Sequence, residues 1–176
     1  QTKRFNLAKS LLKKAIQINT NYAPAYSNLG GALKELGEYE EAIDHCQKAI
    51  QIDPNYADAY NNLGASLKEL GELQKAVDSY QKAIQIQPNF EDAHVNLSAV
   101  FQQMGDIHKA IKCYQKLSKI QSNLGNVYSG LGGLYVVLGD TQKAISSYQN
   151  ALKYEPDNLV FYYHLIDLNK EILNLN

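Results

Sequence analysis

The stretch DAYNNLG, residues 58–64, recurs along the chain at a fixed interval. The chain reads PAYSNLG at 24–30, DAHVNLS at 92–98 and NVYSGLG at 126–132, with neighbouring copies 34 residues apart. A period of this length, held without an insertion, indicates a repeat fold in which each unit buries its apolar face only against its neighbours.

Small and apolar residues keep the same register over almost the whole chain. The recurring positions hold Ala8, Ala42, Ala76, Ala110 and Ala144; Leu29, Leu63, Leu97, Leu131 and Leu165; and Gly37, Gly71, Gly105 and Gly139. The period therefore belongs to the chain as a whole and not to one short motif.

Each repeat contains two stretches with the spacing of an amphipathic helix. In the repeat that begins at residue 57, the first face consists of Tyr60, Leu63, Gly64 and Leu67, and the second of Ala76, Tyr80 and Ala83. We expect the small Gly64 to let the two helices approach closely and the large Tyr80 to fill a wider gap between repeats. Leu63 is expected to lie in the packed core.

The helix ends follow from residues with special backbone properties. Gly71 and its counterparts predict the end of the first helix, because glycine adopts the left-handed closing conformation without a side-chain clash. Pro54 and Pro88 predict the end of the second, since proline cannot continue a hydrogen-bonded helix interior. Asp106 and Asp140 follow their glycines and are predicted N-caps.

This pattern, Tyr-x-x-Leu-Gly followed by Gly, Ala, Tyr, Ala and Pro, resembles the tetratricopeptide repeat family. The resemblance implies an all-α, right-handed superhelical solenoid of antiparallel helix pairs, whose first helices line a groove for peptides and partner proteins. We predict one domain over residues 1–176. It has four full repeats, 23–56, 57–90, 91–124 and 125–158, and a partial repeat or capping helix at each end, 1–22 and 159–176.

Composition narrows the functional classes. With 17 Lys and Arg against 18 Asp and Glu, the net charge of −1 gives no general attraction to nucleic acid or anionic membranes. No apolar run is long enough for a membrane span. Cys46 and Cys113 are too isolated for a disulfide framework or a zinc site, which fits a reducing, cytoplasmic setting.

No catalytic arrangement occurs at motif spacing. His94 replaces a packing Tyr and is expected in the core. We predict no catalysis, cofactor or metal.

One asparagine per repeat precedes the recurring leucine, at Asn28, Asn62 and Asn96. In the tetratricopeptide family this position lines the groove, so the resemblance implies a ladder of amides that could bind the backbone of an extended peptide. It is similar to the asparagine ladder in the helical arm of O-linked N-acetylglucosamine transferase. The alternative is that the asparagines are exposed residues inherited when the repeats were copied. Gly130 and His164 occupy the next two rungs, so the ladder ends after three.

Further residues on the first helices complete the candidate set for binding a peptide or partner. The family's carboxylate clamp for chaperone tails is not expected, because one of its positions reads Ser27, Asn61 and Val95 where Lys or Arg is needed. Acidic side chains favour a ligand with some positive charge. The additional candidate residues are Asn61, Asp58, Asp92, Lys34 and Lys68.

Two functions remain open from these residues. The first is a non-catalytic interaction scaffold that binds an extended peptide or partner protein in the groove. The second is a substrate-recruiting arm of a larger enzyme, for example a glycosyltransferase, with its catalytic domain outside this sequence. The exposed terminal helices could also mediate self-association.

The stretch 125–139 departs from the repeat, with Gly130, Gly132 and Gly133 inside one helix. Each internal glycine costs about 0.8–1.0 kcal/mol relative to alanine, and only Gly132 occupies the packing position of the motif. The other two could let a ligand backbone approach a floor that includes Val136 and Val137. Repeat drift or a softened joint is the alternative.

Overall fold

A computed structural model describes residues 2–120 and 124–174, and every regular element within them is an α-helix. This confirms the predicted all-α fold. The chain divides into two compact bodies, Gln1–Val100 and Phe101–Asn176, which are described separately. That the whole chain acts as one domain stays a prediction.

The first body contains a single helix followed by helix pairs. The helices are α1 (Thr2–Ile18), α2 (Ala23–Glu35), α3 (Tyr39–Ile52), α4 (Ala57–Glu69), α5 (Leu73–Ile86) and the greater part of α6 (Glu91–Gln103). Helix α2 packs along α3 and α4 along α5, while α2 also contacts α4 directly. Neighbouring first helices therefore lie side by side, which is the arrangement that a groove requires.

The second body contains the last helices. They are α7 (Ile107–Leu117), α8 (Gly125–Leu138), α9 (Thr141–Tyr154) and α10 (Leu159–Asn174). Helix α8 packs along α9, and α10 packs against α9.

The predicted helix ends are confirmed. Gly37, Gly71, Gly105 and Gly139 have φ between +77° and +79°, the left-handed region that glycine enters without a clash. The carboxylates of Asp106 and Asp140 cap α7 and α9 by accepting hydrogen bonds from the third residue of each helix, at 3.1 and 3.2 Å.

The small glycines of the repeat face large side chains of their own helix pair. A Cβ at Gly64 would lie 2.9 Å from the ring of Tyr80, and one at Gly132 would lie 2.9 Å from the ring of Tyr148. The close approach predicted for Gly64 is thus present. The ring of Tyr80 covers Gly64 within the same repeat, and its predicted filling of the gap between repeats stays a prediction.

Leucines in equivalent repeat positions differ in burial. Leu29 is fully buried with Leu33 and Ala42, and Leu12 packs against this cluster. Leu63 is only half-buried, so the prediction that it lies in the packed core was wrong.

The structure explains one of the two unassigned glycines of α8. A Cβ at Gly130 would approach the ring of Tyr114 to 2.5 Å, so a side chain there would collide with α7. A Cβ at Gly133 would meet only the hydroxyl oxygen of Tyr148, at an ordinary 3.8 Å. Packing therefore accounts for Gly130, contrary to expectation, while nothing in the structure explains Gly133.

Candidate partner-binding site

A pocket of about 510 Å³ opens on the first body along one face of α4. Asn61, Asn62, Ala65 and Lys68 line it, and their spacing places them on one side of a helix. Helix α6 adds Asn96 from the next repeat. The pocket thus draws residues from α2, α4 and α6, the first helices of successive repeats, and from Tyr39 and Tyr80 of the second helices.

The pocket brings together five of the eight candidate residues. Those that line it are Lys34, Asn61, Asn62, Lys68 and Asn96. The remaining three are exposed and are not among its lining residues: Asn28, Asp58 and Asp92.

Asn62 joins two neighbouring first helices. Its side-chain N–H₂ group donates to the main-chain carbonyl oxygen of Ser27 at 3.2 Å and to the Ser27 hydroxyl at 3.1 Å. The orientation of the amide is fixed by chemistry, since a carbonyl oxygen only accepts hydrogen bonds. Ser27 is fully buried beneath this contact, so it does not line an open groove. Asn62 therefore holds α4 to α2 as well as facing the pocket.

Asn96 and Asn28 differ in their contacts and in their exposure. The amide nitrogen of Asn96 donates to Asn61 Oδ1 at 3.1 Å, which ties α6 to α4. Asn28 is exposed, and no first helix precedes α2 in the described part of the chain. The three amides are not equivalent, because Asn62 and Asn96 are half-buried and use their N–H groups between repeats, whereas Asn28 is exposed. That they form a ladder for a peptide backbone stays a prediction.

The charges around the pocket are balanced locally. Lys34 pairs with Glu35 at 2.7 Å, and Lys68 pairs with Glu69 at 2.9 Å. Glu35 and Glu69 also line the pocket. Each ammonium thus has a carboxylate beside it, and the wall carries no net charge from these four residues.

Tyr80 is a pocket residue that the sequence pattern assigned only to packing. It lines the pocket although its side chain is fully buried. Its hydroxyl makes no hydrogen bond to any residue that the structure describes. Burial, with a smaller contribution from the Glu69 carboxylate, raises the pKa of Tyr80 well above its usual range, so the hydroxyl stays protonated. No signal in the repeat pattern distinguishes this hydroxyl from those of the other packing tyrosines.

The cysteines and the buried histidine are placed for packing. Burial raises the pKa of the Cys46 thiol to about 12 and that of Cys113 to about 11, which leaves both protonated and weakly nucleophilic near neutral pH. His94 is buried, as predicted, with Nε2 2.9 Å from the carbonyl oxygen of Pro88. Among the described residues, no group of three or more His, Cys, Asp and Glu side chains is placed to hold a metal ion.

Comparison with known families decides the assignment of the chain. Tetratricopeptide repeat patterns match residues 21–89, and further single repeats match 91–124 and 125–158. The chain belongs to the tetratricopeptide repeat family. Members of this family are generally non-catalytic scaffolds for protein interactions. No curated protein compared with this tetratricopeptide chain matches it.

Solved structures of other proteins share the fold. The crystal structure of MamA matches this chain with a TM-score of 0.75 and 28% sequence identity. The match covers 88% of this chain and 91% of MamA. TTC0263, a thermophilic TPR protein of Thermus thermophilus, is 20% identical, with a TM-score of 0.73 and coverages of 94% and 91%. YrrB, described as a TPR protein with an unusual peptide-binding site, is 21% identical, with a TM-score of 0.70 and coverages of 93% and 84%.

Across residues 2–120 and 124–174, no helix combines the length and the apolar character needed to cross a bilayer.

Proposed function

We propose that the chain is an interaction scaffold that binds an extended peptide segment of a partner protein in the pocket of the first body. The observation that carries this proposal is the convergence of Lys34, Asn61, Asn62, Lys68 and Asn96 on one cavity. These residues come from α2, α4 and α6, so a segment lying there would cross successive repeats.

Asn61, Asn62 and Asn96 give one part of the pocket wall side chains that form hydrogen bonds. An extended peptide has unpaired main-chain N–H and C=O groups, each of which needs a partner when it leaves water. Amides supply both functions, because each carries a donor and an acceptor. A segment bound here would be recognised through its backbone, with little dependence on its side chains.

Charges outside the pocket favour a basic segment. Asp58 and Asp92 are exposed at the start of α4 and α6, while the lysines of the pocket wall are each paired with a glutamate. Unpaired carboxylates beside a neutral pocket attract a positively charged partner and steer its approach. We therefore propose a peptide with Lys or Arg flanking the bound portion.

Filling the pocket should weaken binding. Ala65 is half-buried and lines the pocket, so in Ala65→Arg the longer side chain occupies space needed by the peptide. Ala99 has the equivalent place in the next repeat, but it is exposed and is not a lining residue. We expect Ala65→Arg to weaken binding of peptides selected from an array by at least about tenfold, which is 1.4 kcal/mol. Ala99→Arg should leave Kd unchanged.

The control variant Ala99→Arg adds the same charge and volume. A difference in Kd between the two variants therefore reflects only where the arginine is placed. Fluorescence polarisation with labelled peptides gives Kd, and circular dichroism melts show that both variants remain folded. Equal affinities for the wild type and Ala65→Arg would refute the proposed site. A substrate-recruiting role in a larger enzyme, a transferase-like ladder and self-association through α1 and α10 stay predictions.

A further inference from the structure

Two valines of α8 occupy positions that hold charged or amide side chains on the other first helices. The pocket-lining residues Lys68 and Glu69 of α4 correspond to Val136 and Val137 in the repeat 125–158. Helices α2 and α10 also have Lys followed by Glu at these two positions, and α6 has two glutamines. Helix α8 therefore replaces a polar pair of the repeat with an apolar one.

The exchange is not explained by the folding of α8. Val136 is 45% exposed and Val137 is 62% exposed, although α7 and α9 both pack against this helix. Valine is also a weaker helix former than lysine or glutamate, so helix propensity does not favour it here. The two valines are therefore available for contact with another molecule.

Gly133 gives this apolar surface the form of a notch. It precedes the valines by three and four residues, so its missing side chain leaves a space on the helix surface that they border. A Cβ at Gly133 would meet only the hydroxyl oxygen of Tyr148, at 3.8 Å, so packing does not require glycine. Holes of this kind between residues of adjacent helical turns accept one side chain from a neighbouring segment.

The surroundings of the notch select an uncharged, apolar side chain. From Gly125 to Leu138, α8 contains no Asp, Glu, Lys or Arg. Asp140, the first acid after the helix, is paired with Lys143 at 2.6 Å. A charged group placed between the valines would lose water without gaining an opposite charge. An aliphatic side chain would instead bury apolar surface without losing a polar partner.

We propose that the notch formed by Gly133, Val136 and Val137 binds one aliphatic side chain, such as leucine, from an uncharged segment of a partner protein. This inference rests on the proposed function, because it takes the same positions of the first helices as ligand-binding positions. It adds a site in the second body whose preference is apolar, whereas asparagines, lysines and glutamates line the pocket of the first. The partner therefore contains an aliphatic residue in addition to the basic segment proposed for the pocket.

Four tripeptide probes with one backbone test this preference. They are acetyl-Gly-Leu-Gly amide and its analogues with Asn, Lys or Glu in the central position. Binding to the full chain is followed by NMR titration of the Gly133 backbone amide and of the Val136 and Val137 methyl groups. We expect the leucine probe to shift these resonances saturably. It should bind at least about fivefold more tightly than each analogue, as expected for a leucine side chain partly removed from water.

The chain itself supplies a substitution that removes the valines without disturbing a helix. Val136→Lys combined with Val137→Glu gives α8 the pair that α4 carries, and we expect it to weaken the leucine probe at least about fivefold. The control combines Ser146→Lys with Gln149→Glu, which adds the same charges to exposed positions of α9. The control should bind as the wild type does.

Gly133→Ala separates a binding role from a structural one. The added methyl group occupies part of the notch, so the leucine probe should bind about threefold more weakly. Thermal melts should show the variant to be at least as stable as the wild type, because alanine is the better helix former. Loss of affinity without loss of stability is a combination that a packing glycine, or one left by drift of the repeat, would not give.

Equal affinities for the leucine and asparagine probes, or unchanged affinity in the Val136→Lys and Val137→Glu variant, would overturn the notch and leave the pocket of the first body standing. Tighter binding of the Lys or Glu probe would overturn its apolar preference. Self-association of the chain that this variant abolishes, measured by sedimentation, would show that a second copy covers the valines and would overturn the assignment to a partner protein. Undiminished peptide binding in Ala65→Arg would overturn the proposed function alone, because the leucine titration is read on α8.

Discussion

Replacing Leu29 with Ala should lower the free energy of unfolding of the first body by about 2–5 kcal/mol, the range for leucine truncation in a packed core. Leu29 is 0% exposed and packs with Leu33 and Ala42, while Leu12 and Ile16 border the cluster. Helices α1, α2 and α3 meet at this point, so a cavity there weakens three helices at once. Urea denaturation measures the change.

Leu11→Ala is the matched control for this substitution. Leu11 lies on α1 but is 56% exposed, so the same truncation should change stability by less than about 0.5 kcal/mol. Leu63→Ala should fall between the two, because Leu63 is half-buried. Equal losses for Leu29→Ala and Leu11→Ala would show that the buried faces of the helices are misassigned.

Gly132→Ala should destabilise the second body by about 1–3 kcal/mol, the usual cost of overpacking a core. The added methyl group would meet the Tyr148 ring at 2.9 Å. That ring cannot easily withdraw, because it stacks on His164 with centroids 4.7 Å apart and lies near Phe161. The adjacent Gly133→Ala should instead stabilise α8 by up to about 1 kcal/mol, because alanine is the better helix former and its Cβ has room.

Both variants replace glycine with alanine at adjacent positions of α8. Helix propensity alone therefore cannot explain opposite changes in stability. Thermal and urea denaturation of both proteins would give the sign of each change. Stabilisation by Gly132→Ala would mean that the glycine is not required by the close approach of α8 and α9.

The features that could be predicted from the sequence are those fixed locally. A positive φ at Gly71 follows from a glycine placed where a helix must close, and the carboxylates of Asp106 and Asp140 reach N–H groups only three residues away. The period of the apolar residues likewise fixes the pairing of helices within a repeat, because each face has one neighbour to cover it.

The features that could not be predicted depend on how neighbouring repeats meet. Asn62 bonds to Ser27, which is 35 residues earlier, and the spacing of one helix does not specify which side turns toward that neighbour. The need for glycine at position 130 could not be predicted for the same reason. The ring that excludes a side chain there belongs to Tyr114 on the preceding helix. The surroundings of the Tyr80 hydroxyl also depend on several helices, so the repeat pattern predicts only the packing of its ring.

The proposed peptide site is tested most directly by NMR of the asparagine side chains in the full chain. Addition of a peptide selected for binding should shift the side-chain amide resonances of Asn61, Asn62 and Asn96, which line the pocket. The resonance of Asn126, exposed on α8 of the second body, should not move. Saturable binding that leaves the three pocket asparagines unshifted, or that shifts only residues of the second body, would refute the proposed peptide site.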